Sequence, residues 1–203
     1  MLLSLIGTLA AGNAGAVTIT FDDQGFAALD DVTTQYAGQG VTFQGFLSSG
    51  APVNVEAANN GLFADNTPPS APTSLSNFYG HSGANRAAII RILFSTASSG
   101  ISFQYNGAGS LGANTLFNIY TLGGFLLNSF SVAAASDSSY HLVTVADTGV
   151  GYIDIVAPQA DWGHYIDNLT FTPGSSRAPD AASTSLLLTS SMALLIGLRR
   201  KLA

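Results

Sequence analysis

The chain has 203 residues, of which 9% are charged and 47% hydrophobic, and its formal net charge is −6. This composition excludes a coiled coil, a charged disordered chain and a nucleic-acid-binding protein, because no basic patch is available to neutralise phosphates. There is no cysteine, which excludes disulfides, cysteine-ligated zinc and thiol nucleophiles.

Residues 1–16 have the pattern of a secretory signal peptide. An apolar run from Leu2 to Ala11 is followed by small residues that end in Ala14-Gly15-Ala16. Small residues at Ala14 and Ala16 match the signal-peptidase pattern and predict cleavage between Ala16 and Val17. We therefore expect export through the Sec machinery. A buried N-terminal helix or strand is the alternative, since no Lys or Arg precedes the apolar run.

Residues 17–173 predict one all-β domain. Hydrophobic and polar residues alternate in short runs separated by turn residues, which is typical of half-buried strands. The Gly123-Gly124 pair predicts a tight hairpin, and residues 62–85, rich in Pro, Ser, Asn and Gly, predict a surface loop. The pattern favours a two-sheet β-sandwich. Its expected strands are residues 17–21, 40–46, 52–57, 88–94, 101–105, 115–122, 125–132, 141–146, 151–156 and 165–172.

Both ends of this domain carry short motifs. Phe21-Asp22-Asp23 closes the first predicted strand, the segment 36–43 reads YAGQGVTF, and the last strand contains IDNLTF at 166–171. These motifs resemble those of exported bacterial proteins whose jelly-roll domains are similar to carbohydrate-binding modules. The resemblance implies a two-sheet antiparallel jelly-roll β-sandwich and supports the fold more than the function. An extracellular polysaccharide is one candidate partner.

Three carboxylates lie at strand ends that a jelly roll brings together: Asp22, Asp23 and Asp167. Carboxylate oxygens suit Ca²⁺, and a bound ion would offset the repulsion between the carboxylates. A structural calcium ion at these residues is therefore one hypothesis. The alternative is that Asp22 and Asp23 cap a turn while Asp167 bonds local backbone.

Aromatic side chains are the candidate ligand-binding groups. Trp162, in a loop-like stretch before the last strand, and Tyr165 are the first candidates. A packed lid over the end of the sandwich is the alternative for Trp162. Further rings that could face a sugar belong to Tyr79, Tyr105, Tyr120 and Tyr152.

The sequence predicts no catalytic site. The segment 80–84 reads GHSGA, which lacks the final glycine of the Gly-x-Ser-x-Gly hydrolase motif and its strand–turn–helix context. The histidines His81, His141 and His164 have no zinc-ligand spacing. A pair of carboxylates acting as glycosidase acid and base needs a defined separation in a groove, which the sequence does not indicate.

Residues 174–203 form a tail with three parts. A Pro-Asp motif at 178–184 precedes an uncharged stretch at 181–198. That stretch is about 27 Å long as a helix, close to the thickness of a bilayer core, and predicts a single transmembrane helix. The basic tip Arg199-Arg200-Lys201 would stay cytoplasmic and leave the upstream domain outside.

This tail resembles the PEP-CTERM sorting signals that exosortases recognise, and more closely their VPDSG-type variant. The positions that match are Pro179, Asp180, Ser183 and Thr184, whereas Ala178, Ala181 and Ala182 depart. The resemblance implies export, transient anchoring by the C-terminal helix, and processing by an exosortase-type membrane enzyme. Together these patterns predict a cell-surface or extracellular-matrix protein with a β-sandwich binding module. The alternatives are a purely structural matrix component and, less favoured, a secreted hydrolase.

Overall fold

The computed structural model describes residues 15–59, 68–108, 114–133, 139–157 and 163–174. These residues form antiparallel β-strands and one short 3-10 turn, Ala37–Gln39. The all-β prediction is therefore confirmed for this part of the chain. The strands, numbered in chain order, are β1 Val17–Ile19, β2 Val41–Phe46, β3 Pro52–Val53, β4 Glu56–Asn59, β5 Thr73–Ser76, β6 Phe78–Tyr79, β7 Ser82–Arg86, β8 Ile89–Ala108, β9 Asn114–Tyr120, β10 Leu126–Ala133, β11 His141–Val145, β12 Val150–Val156 and β13 Gly163–Pro173.

The long strand β8 connects two sets of strands. Its first part pairs with β2 and β12, and its second part pairs with β11 and β13. We call β3-β2-β8-β12-β9-β10 the front sheet and β11-β8-β13-β5-β4 the back sheet. Their inner faces meet: the ring centroids of Phe94 in the front sheet and Phe171 in the back sheet are 5.0 Å apart. This arrangement is consistent with a β-sandwich.

Alternation along the strands gives the front sheet two different faces. Successive residues of a strand point to opposite sides. In β8, Ile90 and Ile92 are buried in the core, whereas Arg91 is partly exposed and Leu93 is 40% exposed. The inner face is therefore apolar, and the outer face of the front sheet carries polar and aromatic side chains in partial contact with water.

Two predicted neighbourhoods are present. Strand β1 pairs antiparallel with β13, with Val17 opposite Phe171, so the first and last strands are adjacent as expected. Strands β9 and β10 form the predicted hairpin. The last residue pair of this hairpin is Tyr120–Leu126, so its connection spans residues 121–125. This connection is longer than the two-residue turn expected from Gly123-Gly124.

The prediction of a surface loop at residues 62–85 is wrong for its second half. Thr73–Ser76 is a fully buried strand between β4 and β13, and β6 and β7 follow it as a small separate sheet. The buried hydroxyls are satisfied by the neighbouring strand, since the Ser76 Oγ donates to the Glu56 carbonyl at 2.8 Å. Small polar residues can thus occupy a buried strand, and a hydrophobic pattern does not reveal it.

Candidate functional site

A stack of rings and one guanidinium crosses the outer face of the front sheet. The Arg91 Cζ lies 4.8 Å from the ring centroid of Phe46 and 4.3 Å from that of Tyr152. The Tyr152 ring in turn stacks on Tyr120, with centroids 4.6 Å apart and an interplanar angle of 16°. Phe46, Arg91, Tyr152 and Tyr120 belong to β2, β8, β12 and β9, which are consecutive in the sheet. We call these four residues the outer-face stack.

A bidentate ion pair holds the guanidinium of this stack in place. The Arg91 Nε donates to Asp154 Oδ1 at 2.6 Å, and Nη2 donates to Oδ2 at 2.8 Å. The hydrogen bond to Asp154 is the main cause that raises the pKa of Arg91. The side chains are 29% and 9% exposed, respectively. A planar, two-bond contact of this kind fixes orientation as well as charge.

Amide and hydroxyl groups continue the same row of cross-strand neighbours. Gln44 lies opposite Arg91, and Asp154 lies opposite Asn118. Asn118 Oδ1 then accepts a hydrogen bond from the Ser129 hydroxyl at 2.8 Å. The outer face therefore combines aromatic rings, a fixed charge pair and neutral hydrogen-bonding groups within one row.

Exposed apolar side chains border this row. Leu93 is 40% exposed and Leu116 is 39% exposed on the outer face, while Leu122, Phe125 and Leu126 at the β9–β10 connection are 53%, 76% and 57% exposed. Clustered exposed apolar groups beside a polar site are a common feature of binding surfaces. The arrangement can bind a ligand that has both apolar faces and hydrogen-bonding edges.

The three predicted carboxylates each raise the pKa of Tyr36 through their negative charge, and each accepts hydrogen bonds from the protein. Asp167 accepts from the Ser70 backbone N–H at 2.8 Å, the Ser70 hydroxyl at 2.7 Å and the Asn168 N–H at 2.7 Å. Asp22 accepts from the Thr73 N–H at 2.8 Å, and Asp23 accepts from the Tyr36 hydroxyl at 2.6 Å.

Only the bond from the Asn168 N–H to Asp167 is local, as the capping alternative expects. The bonds from Ser70 to Asp167 and from Thr73 to Asp22 join segments that are distant in sequence. No group of three or more metal-ligating side chains is found in the part of the chain that the structure describes. The calcium hypothesis for Asp22, Asp23 and Asp167 stays a prediction.

Burial shifts the pKa of one of these carboxylates and of Tyr36. It raises the pKa of Asp167 to about 6, against the opposing effect of the Ser70 and Asn168 hydrogen bonds. It also raises the pKa of Tyr36 strongly, and the Tyr36 hydrogen bond to Asp23 adds to that shift. Both shifts follow from removing a charged form from water.

The aromatic candidates other than Tyr79 divide into three groups. Tyr165 is only 1% exposed and packs edge-on against Phe78, with centroids 6.0 Å apart, so its predicted role as a ligand platform is wrong in this conformation. Tyr105 is likewise buried, and its hydroxyl lies 2.6 Å from that of Thr115. Trp162 lies outside the described residues. Tyr120 and Tyr152 are the candidates that the structure brings together.

The serine and histidine candidates do not form a catalytic arrangement. Ser82 begins strand β7, and its hydroxyl accepts the Ala84 N–H at 3.3 Å, so the strand–turn–helix of a nucleophile elbow is not formed there. His164 is fully buried, which lowers its pKa to about 4. His81 and His141 are exposed on separate elements, the β6–β7 turn and β11.

Sequence reasoning missed three members of the outer face: Phe46, Arg91 and Asp154. The signal that would have found two of them is the alternation in their own strands. Arg91 stands between Ile90 and Ile92, and Asp154 between two isoleucines. A charged residue flanked by two core residues in a strand points to the opposite, outer face.

The sequence matches no family model and no curated protein. Among solved structures, the K2 cleaved adhesin domain of Lys-gingipain superposes with a TM-score of 0.54 at 11% identity, covering 78% of this chain and 99% of that one. TmCBM61, solved in complex with β-1,4-galactotriose, gives a TM-score of 0.41 at 12% identity, covering 71% and 99%. A lectin binding domain of Lectinolysin, complexed with Lewis b, gives 0.37 at 8% identity, covering 81% and 95%. The similarity to the adhesin domain is one of fold, and it supports the all-β architecture.

Proposed function

We propose that this chain is an exported protein whose jelly-roll β-sandwich binds glycans through the outer face of the front sheet. The observation that carries the proposal is the outer-face stack, because it places one fixed guanidinium between the rings of Phe46 and Tyr152, with Tyr120 stacked on Tyr152. Ligand sites combine apolar and aromatic walls with a few oriented polar groups, and this face contains both.

The chemistry of a sugar fits these groups. A sugar ring has C–H faces that contact aromatic and aliphatic side chains, and hydroxyl edges that need hydrogen-bond partners. A carboxylate has about four lone-pair sites, of which Arg91 uses two on Asp154. Asn118 and Gln44 supply further amide groups beside the rings.

The two ends of the chain support a surface location. The signal peptide at residues 1–16 and the sorting tail at 174–203 are both expected from the sequence. In this proposal the Sec machinery exports the chain, the C-terminal helix anchors it, and an exosortase-type enzyme processes the tail. The described residues contain no helix of the length and apolar character that crossing a membrane requires, and residues 181–198 lie outside them.

The proposed function is binding without catalysis. Ser82 lies in strand β7 and not at a nucleophile elbow. His81 Nδ1 lies 3.9 Å from Glu56 Oε1, and the same nitrogen is hydrogen-bonded to the Leu29 carbonyl oxygen at 2.9 Å. The remaining rival is a structural component of the extracellular polymer that has no specific ligand. A binding measurement separates the two.

The test is binding of the full chain to a glycan array, followed by calorimetry on the best glycan. We expect Tyr152→Ala to weaken binding by about tenfold or more, since truncating a central aromatic anchor typically costs over 1 kcal/mol. Tyr79→Ala, which removes a tyrosine from strand β6 away from the stack, is the matched control and should bind like the wild type. Equal binding by both variants, or no glycan binding at all, would contradict the proposed site.

A further inference from the structure

A small, mostly apolar pocket of about 350 Å³ lies beside the outer face. Its lining comes from three places: Gly40 and Thr42 at the start of β2, Leu93 and Ser95 in β8, and Leu122 in the β9–β10 connection. The volume is at the lower end for ligand sites. It can receive a substituent of a sugar whose ring lies on the outer face, and not a longer oligosaccharide.

This pocket is continuous with the outer-face stack. Thr42 lies opposite Leu93, Leu93 lies opposite Tyr152, and Tyr152 lies opposite Tyr120. Directly opposed side chains on adjacent strands are about 5 Å apart. A ligand that contacts the edge of the Tyr152 ring therefore has the pocket one strand away, at Leu93.

Backbone geometry fixes the two loops that form the walls. Gly40 has a φ of +91°, a left-handed conformation that favours glycine. At Gly151 in β12, an added Cβ would overlap the backbone of Thr121 and Leu122. The β9–β10 connection thus rests directly on β12, and the pocket wall at Leu122 is positioned before any ligand arrives.

Building on the glycan-binding function proposed above, we infer that the pocket receives the methyl group of a substituted sugar. O-acetylated sugars and 6-deoxy sugars both carry such a group. The leucine side chains of Leu93 and Leu122 contact the methyl group, and Thr42 and Ser95 lie at the border of the pocket. An unsubstituted sugar would place a hydroxyl group or water against the leucines instead.

Loss of the methyl group should therefore weaken binding. One methylene group in an apolar pocket changes discrimination by about tenfold or more. We expect a preference of about that size for the substituted sugar. The preference should depend on the Leu122 side chain and not on the outer-face stack.

The experiment is calorimetry on the full chain with two matched pairs of probes. One pair is O-acetylated xylan and the same xylan after alkaline deacetylation. The other is methyl α-L-fucoside and methyl α-L-galactoside, which differ only by a methyl against a hydroxymethyl group. The variants are Leu122→Ser in the pocket and Leu142→Ser, an exposed leucine on β11 of the back sheet, as the control.

We expect the substituted member of one pair to bind about tenfold tighter, which identifies the acetyl or the deoxy methyl as the group recognised. Leu122→Ser should remove this preference, and Leu142→Ser should keep it. Glycan binding with no preference in either pair, or a preference that survives Leu122→Ser, would overturn the inference and leave the proposed function intact. Failure of every glycan to bind would overturn the proposed function itself, and this inference with it.

Discussion

At the scale of single residues, Asp167 shows how the domain places a carboxylate away from water. Its side chain is buried, and the Ser70 and Asn168 groups donate three hydrogen bonds to it. Burial outweighs those bonds and, with the nearby negative charge of Asp22, raises the pKa of Asp167 to about 6. The folded protein therefore retains a proton on Asp167 between about pH 4 and 6 that the unfolded chain releases.

This raised pKa predicts a pH-dependent stability. The contribution of Asp167 is fully present below about pH 4 and is lost as the pH rises through about 6, by on the order of 2 kcal/mol. The Asn side chain of Asp167→Asn cannot titrate, so the variant does not lose this contribution as the pH rises. Any stability advantage of the wild type at pH 4 should therefore be smaller at pH 7, or reversed. Urea unfolding at both pH values measures it. The control is Asp31→Asn, at an exposed position, which should keep the pH dependence of the wild type. If Asp167→Asn also kept it, Asp167 would not be the group that causes the loss of stability.

The calcium hypothesis has a separate test at the same residues. If Asp22, Asp23 and Asp167 bind Ca²⁺ in the native state only, calcium at a hundred times its dissociation constant adds about 2.7 kcal/mol to stability. That raises the melting midpoint by several degrees. Thermal unfolding in millimolar calcium and in EDTA measures the shift, and Asp167→Asn should abolish it. Equal midpoints in the two buffers would leave these residues as hydrogen-bonding caps.

At the scale of elements, the β9–β10 hairpin depends on one close approach between backbones. Gly151 of β12 lies against Thr121 and Leu122, with no room for a Cβ. By contrast, Gly38 in the middle of the 3-10 turn Ala37–Gln39 has no atom within 4 Å of the place where a Cβ would stand. The two glycines form a matched pair for measuring the contribution of this contact.

We expect Gly151→Ala to destabilise the domain by about 3 kcal/mol, because backbone atoms cannot move aside as a flexible side chain does. Gly38→Ala should change stability by less than about 0.5 kcal/mol. Thermal or urea unfolding compares both variants with the wild type. A Gly151→Ala variant as stable as the Gly38→Ala variant would show that the hairpin does not rest on β12 in solution.

The elements also show where sequence patterns succeed and fail. Strands with clear alternation, such as β2 and β12, were predicted within one or two residues. Strand β5 was not, since its sequence TSLS has one large apolar residue and its polar groups find partners only once β4 lies beside it. Burial of small hydroxyl-bearing residues depends on neighbours that are distant in sequence.

At the scale of the whole molecule, we propose that the β-sandwich binds the glycan and that the two terminal segments direct the chain to the cell surface. The sorting reading predicts that the full chain reaches the membrane with its sandwich outside and is released by processing in its native host. Asp180→Ala, or deletion of residues 199–201, should block release and surface display. Cell fractionation and surface labelling measure both, with Ala182→Ser, a change at a position that departs from the motif, as the control. Unchanged processing in both altered tails would refute the sorting signal.

The resemblance to jelly-roll domains implied that the first and last strands are neighbours. The sequence by itself determined the all-β class and the candidates Tyr120 and Tyr152. These follow from the period of two, from turn residues and from composition, which are local properties. Only the tertiary structure decided that Tyr105 and Tyr165 are buried while Tyr120 and Tyr152 stack beside Arg91. Strand order and register bring Phe46, Arg91, Tyr152 and Tyr120 together from positions up to 106 residues apart. No local pattern specifies which strands become neighbours, because pairing depends on long-range packing of the whole core.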